Sequence, residues 1–260
     1  MFGVEGEPVV LPGGEGQSYR VGNLVLKPTT DAIQSRWIAE LLRTIPEVEF
    51  RVIQPAPTVD EKWVYSGWEA NYFIEGETVK GRWKDKITVS RKFHSQLHGV
   101  ERPDFIGSRN NPWETADRIV WNEIREEYGE NISHISSRLL RMKKPVNLEE
   151  QLIHGDMTGN ILFHVALPPA VIDFSPYWRP TEYATAIIIV DAIVWEGADD
   201  TLLSEMPNTF QNNQLLIRAA LWRIKTTELF STINNTDPAQ EVQHYDHFID
   251  VLVKRIENAS

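Results

Sequence analysis

The chain is 260 residues long, 42% hydrophobic and 24% charged, with no cysteine. That length can bury a full core in one large domain or in two lobes, and the missing cysteines exclude disulfides and thiolate metal sites. A net charge of −11 argues against a nucleic-acid surface and favours cationic or neutral ligands. No run is long and apolar enough to span a bilayer, and no basic-then-apolar leader is visible, so a cytoplasmic protein with no membrane partner is expected.

In chain order, Val9, Val10 and Leu11 read as a short strand entering a glycine-rich turn, Pro12-Gly13-Gly14-Glu15-Gly16-Gln17-Ser18. Gly13, Gly14 and Gly16 would let backbone N–H groups approach phosphate oxygens. Residues 19–21 and 24–26 alternate around Gly22-Asn23, a tight hairpin signal, and Lys27 ends the second strand before Pro28. Thr30-Asp31 opens a helix whose apolar residues, Ile33, Trp37, Ile38, Leu41, Leu42 and Ile45, recur at helical spacing until Pro46. Glu40 lies beside that face. Residues 48–53 and 63–74 read as two further strands joined by Gln54-Pro55-Ala56-Pro57. The rest is mostly helical, over 85–97, from Asn111-Pro112 onward, and over 132–142, 181–195, 209–230 and 241–256. His244 and His247 share a helix face and permit a metal, but no third ligand accompanies them.

One stretch, 151–175, concentrates the chemistry. Apolar runs at 161–163 and 170–172, separated by Leu167-Pro168-Pro169, predict a hairpin. It returns the chain to the end where Asp156 and Asn160 stand and delivers Asp173 there. Phosphoryl transfer requires such a set: a carboxylate to orient a hydroxyl and take its proton, and hard oxygens for magnesium.

The ordered set His154-Gly155-Asp156, Asn160 and Ile172-Asp173-Phe174 resembles the aminoglycoside phosphotransferase and choline kinase family. The resemblance implies an α+β, two-lobed, protein-kinase-like fold, with a small β-rich lobe over 1–73 and a larger, mainly helical lobe over 74–260. It implies an enzyme that moves the γ-phosphoryl group of ATP or GTP, with Mg2+, to a hydroxyl of a small molecule. Asp156 would then be the catalytic carboxylate and Asn160 and Asp173 the metal ligands. Lys27 would hold phosphates beneath the turn of Gly13, Gly14 and Gly16, and Glu40 would aim Lys27. Tyr72, Phe73 and Ile74 would cover the adenine edge. The acceptor stays open among aminoglycosides, choline-like alcohols, sugars and amino alcohols.

Two departures from the family pattern stand out. Three residues separate Asp156 from Asn160 where the family has four. Downstream, Arg179-Pro180 replaces an Asp-Pro, leaving Asp191 either to brace the catalytic loop or to face the acceptor. Tyr177, Trp178 and Arg179 are acceptor-site candidates or packing residues. These departures keep a second reading open, a nucleotide-binding pseudokinase with a regulatory or scaffold role. A protein kinase is disfavoured because Gly155 stands where such enzymes carry arginine and no Ala-Pro-Glu segment follows Asp173.

Overall fold

Gly22, at φ +58°, turns β2 (Tyr19–Val21) back as β3 (Leu24–Pro28), and the two pair antiparallel. A second two-residue turn, Ser66-Gly67, has both residues at positive φ and joins β5 (Val64–Tyr65) to β6 (Trp68–Tyr72). The expected single strand over 63–74 is therefore a hairpin, and Ser-Gly was its turn signal. With β1 (Val9–Val10) these strands form an antiparallel sheet in the order β1-β2-β3-β6-β5. The computed structural model describes residues 1–11 and 16–258.

Alternation along the sheet decides its two faces. Leu24, Leu26, Trp68 and Ala70 point one way and pack with Phe2, Val4 and Ala56. Lys27 and Glu69, directly opposite one another on β3 and β6, belong to the other face. Asp31 caps α1 (Ala32–Leu42), its carboxylate accepting from the N–H groups of Ile33 and Gln34. A smaller sheet runs β4 (Arg51–Val52), β10 (Ala170–Val171), β9 (Ile161–Phe163), β7 (Glu77–Thr78). The predicted hairpin thus exists as β9–β10. Gly76, at φ +144°, leads into β7, and a Cβ there would press on Leu162, so the turn requires glycine.

These elements make up one unit, Met1–Val79 with Asn160–Phe174; Lys80–Gly159 and Ser175–Ser260 make up the other. The division differs from the expected boundary at 73/74. Pairing of β9 with β7 and of β10 with β4 draws the hairpin, and with it Asn160 and Asp173, into the first unit.

The second unit contains α2 (Trp83–Gln96), α3 (Pro112–Val120), α4 (Ser133–Met142), α5 (Thr181–Trp195), α6 (Phe210–Asn234), α7 (Ala239–Val242) and α8 (Tyr245–Glu257). Helix α5 is apolar nearly all round, and every residue from Tyr183 to Ile193 is buried. Each large aliphatic side chain buried there contributes roughly 1.5–3 kcal/mol. Helix α6 packs against both α3 and α5; Thr209 caps it, and Asn235 ends it in the left-handed region. Between helices lies a two-stranded antiparallel sheet of β8 (Gln151–His154) and β11 (Pro176–Arg179). Proline opens β11, where a missing N–H is tolerated. Among the described residues no helix is long and apolar enough to cross a membrane.

Candidate active site

In the first unit the site is built on two strand ends. Lys27, from β3, forms an ion pair with Asp173. Asp173 follows β10 at φ +51°, a conformation that non-glycine residues seldom adopt and that clusters at functional sites. The N–H of Ile172 donates to the carbonyl of Asn160 at 3.0 Å, extending the β9–β10 register so that Asn160 stands opposite Ile172, the residue before Asp173.

Glu40 does not reach this cluster. Its carboxylate accepts from Arg36 Nε at 2.8 Å on the exposed side of α1. Four-residue spacing stacks these two side chains on one stripe, while the buried stripe holds Ser35, Ala39 and Leu42. Ile33, expected to face inward, is exposed. The sheet acid directly opposite Lys27 is Glu69. Burial pushes its carboxyl up, opposed by a hydrogen bond from the Ser35 hydroxyl and by the Lys27 charge, with Asp173 pushing further upward.

Gly13 and Gly14 lie outside the described residues. Gly16 adopts φ +69° in open space, so its conformation and not crowding calls for glycine. Tyr72 and Phe73 donate their N–H groups to the carbonyls of Gln54 and Asn23, at 2.8 and 2.7 Å. Arg20 stacks 3.6 Å from the Phe73 ring centre, and Ile74 is half-buried beside Gly76.

In the second unit the loop after β8 is held on every side. The N–H of Gly155 donates to Ser175 at 2.9 Å. A Cβ at Gly155 would overlap the Tyr177 ring, which explains glycine at this position. His154 is fully buried; its Nδ1 accepts from the N–H groups of Asp156 and Ser175 at 3.2 and 3.4 Å. Its own N–H donates to Nε2 of His94, on α2, at 2.9 Å. Burial and the neighbouring His154 push His94 down to about 3, so it is neutral and accepts.

Asp156 meets Arg223 of α6, whose Nη2 donates to it at 2.8 Å. The same guanidinium donates from Nε to Asp191 of α5 at 2.9 Å, and its Nη2 also bonds Asp191. Thr158 donates its hydroxyl to Asp191 at 2.8 Å. The short spacer is thereby tied to α5, and Asp191 braces the loop. Burial works to raise the Asp156 carboxyl, but the charge and hydrogen bond of Arg223, with His154, carry it below its ordinary value. Asp191 moves up, chiefly through burial. Arg223 stays charged: burial lowers it, but its two carboxylate partners outweigh that.

A cavity of about 550 Å³ opens over Asp156. Four more acids line it, Asp191, Glu196, Asp237 and Glu241, against the single cation Arg223; Trp113, Trp195, Phe230 and Tyr245 supply aromatic walls. Tyr177, Trp178 and Arg179 are not among its lining residues. Tyr177 packs on Gly155 and edge-on to Trp222, with ring centres 5.6 Å apart. Arg179 is buried in ion pairs with Asp117 and Glu123. Tyr177 and Arg179 are packing residues. His247 pairs with Asp200 at 2.8 Å and His244 tilts against Trp195; among the described residues no cluster of three metal-ligating side chains occurs.

Solved structures share this architecture. Aminoglycoside phosphotransferase APH(4)-Ia matches 96% of this chain over 93% of its own length, with 14% identity and a TM-score of 0.62. The chain has the aminoglycoside phosphotransferase fold. The aminoglycoside phosphotransferase of Alicyclobacillus acidocaldarius is similar over 98% of this chain and 93% of its own, at 14% identity and a TM-score of 0.59. Spectinomycin phosphotransferase APH(9)-Ia, solved with ADP and spectinomycin, covers 97% and 88% at 16% identity and a TM-score of 0.51. No protein-family model and no curated protein sequence matches. Within this phosphotransferase fold, three residues of the site carried no local sequence signal: Glu69, His94 and Arg223. Each meets its partner through tertiary packing, His94 across 60 positions and Arg223 across 67.

Proposed function

We propose that the protein is an ATP- or GTP-dependent phosphotransferase whose acceptor is a hydroxyl on a small cationic molecule. One observation carries the reading. The β9–β10 hairpin brings Asn160 opposite Ile172, the residue before Asp173, and Lys27 from β3 pairs with Asp173. An amide oxygen and a carboxylate are the hard donors that magnesium takes. Lys27 already pairs with that carboxylate, so the position takes a cation, and a divalent ion bound there would share Asp173 with it. Asn160 and Asp173 would hold the metal, and bound magnesium would neutralise charge on the phosphate oxygens. Lys27 would bind the phosphates as a point charge.

Asp156 orients the acceptor hydroxyl and takes its proton while the new O–P bond forms and the β–γ bridging bond breaks, leaving a nucleoside diphosphate. Arg223 keeps Asp156 ionised for that task. Five acids and four aromatic rings around the cavity favour an amine-bearing alcohol, which gains charge attraction and cation–π contact. Because Tyr72 and Phe73 already use their N–H groups, contact with the base falls to other atoms of the segment ending at Ile74.

The test is a transfer assay with Mg·ATP and Mg·GTP against paired alcohols with and without an amine. The amine-bearing member of a pair should react faster. Asp156→Asn should lower turnover by roughly 10²–10⁴ while leaving nucleotide affinity unchanged. Nucleotide binding with no transfer to any acceptor, and no effect of Asp156→Asn, would support the pseudokinase instead.

A further inference from the structure

A lysine that anchors phosphates needs a carboxylate to aim it, and in kinase-like folds that acid sits on the helix after the lysine strand. Here α1 offers none. Asp31 is spent as the N-cap, and Glu40 is bonded to Arg36 on the outer stripe. On the buried stripe, at the level of the sheet, stands Ser35.

Glu69 fills the gap from another direction. It is the residue of β6 directly opposite Lys27. Side chains of such a pair leave the sheet on the same face, with Cβ atoms about 4.5–5.5 Å apart. The opposite face is closed by the Phe2, Leu24, Ala56 and Ala70 core, which fixes both side chains on the polar side. One small cavity is lined by Glu69, Ser35 and Asp173 together. Ser35 lines that cavity beside Glu69, works to lower its carboxyl, and has its hydroxyl 2.8 Å from Thr29 Oγ1, so the carboxylate has a polar neighbour on α1.

We propose that Glu69 is the positioning residue for Lys27, a strand carboxylate doing the work that the helix acid does elsewhere, with Ser35 as its link to α1. The inference rests on the phosphotransferase reading and adds a reason for two carboxylates around one ammonium. Lys27 pairs with Asp173. A divalent ion held by Asp173 would compete with Lys27 for that carboxylate, and Glu69, opposite Lys27 on the same face, would then hold it toward the phosphates.

The experiment uses the full chain with Glu69→Gln, Glu40→Gln, Lys27→Ala and the transplant Glu69→Ser/Ser35→Glu. Glu69→Gln keeps the size and leaves an amide oxygen able to face Ser35, so folding should survive. Mg·ATP binding is measured by calorimetry, and KM for nucleotide is separated from kcat. Glu69→Gln should weaken binding and raise KM roughly 10–100-fold, as loss of an outer-shell partner does elsewhere, with a smaller change in kcat. Glu40→Gln should leave both unchanged. Combining Glu69→Gln with Lys27→Ala should cost no more than Lys27→Ala alone, because residues acting as one unit are not additive. The transplant, which returns a carboxylate to the helix, should recover most of the loss.

Native affinity in Glu69→Gln, alongside a loss in Lys27→Ala, would overturn the assignment and leave the phosphotransferase reading intact. A loss confined to Glu40→Gln would do the same. A second double-mutant cycle, on unfolding free energy without nucleotide, reads the Lys27–Glu69 pair by itself. If that cycle shows coupling but the native protein takes up no nucleotide, the phosphotransferase reading falls and the positioning role falls with it.

Discussion

His94 ties the loop after β8 to acid stability. It is 1% exposed, and its ring is pushed from the ordinary 6.5 down to about 3 by burial and by His154. The native state therefore excludes a proton that the unfolded chain accepts below pH 6.5. For a group whose folded pKa is depressed, the stability it contributes is complete above the unfolded value. It declines as pH falls from about 6.5 toward about 3. At pH 5 the unfolded chain gains RT ln(1 + 10^1.5), about 2 kcal/mol. The damage is also local, because a protonated His94 has two donor nitrogens and one of them would meet the N–H of His154. Urea unfolding at pH 7.5 and pH 5.0 checks the reasoning, with His94→Gln as the variant that keeps an acceptor but cannot be protonated. The native protein should lose about 2 kcal/mol more than His94→Gln between the two pH values. Equal losses would mean that His94 takes up its proton in the folded state, and the argument would fail.

Two further outcomes follow from the loop. Gly155→Ala should cost about 1–3 kcal/mol in urea unfolding, because the added methyl meets the Tyr177 ring; Tyr177→Leu in the same chain should return part of it. Inserting one residue between Met157 and Gly159, which restores the commoner family spacing, should abolish transfer. It would pull Thr158 off Asp191, and a gain of activity would instead mark the short loop as a defect.

Legibility in the sequence followed the range of the interaction. The β9–β10 hairpin was readable because alternation and Leu167-Pro168-Pro169 are local signals, and α5 was readable because its apolar run sits between Pro180 and Gly197. With the hairpin came the adjacency of Asn160 and Asp173. Glu40 misled because helical periodicity gives a stripe but not its orientation; Trp37, Ile38 and Leu41 are half-buried, and the stripe turned inward carries the serine instead. Strand β11 hid behind Pro176 and Pro180, which read as loop until β8 is seen beside it. Arg223 was one charge among several polar positions on a long helix, and only the fold of α6 against α5 brings it to Asp156 and Asp191.

The crowding at Gly155 bears on how such a protein is governed. Protein kinases place an arginine before the catalytic aspartate, and a phosphate on the activation loop recruits arginines to order that segment. Here the ring of Tyr177 fills the space, so no side chain can stand at that position to answer a phosphate. The guanidinium that does touch Asp156 arrives on α6 and is already committed to two carboxylates. The loop is thus held by ring packing and by ion pairs that form as the chain folds.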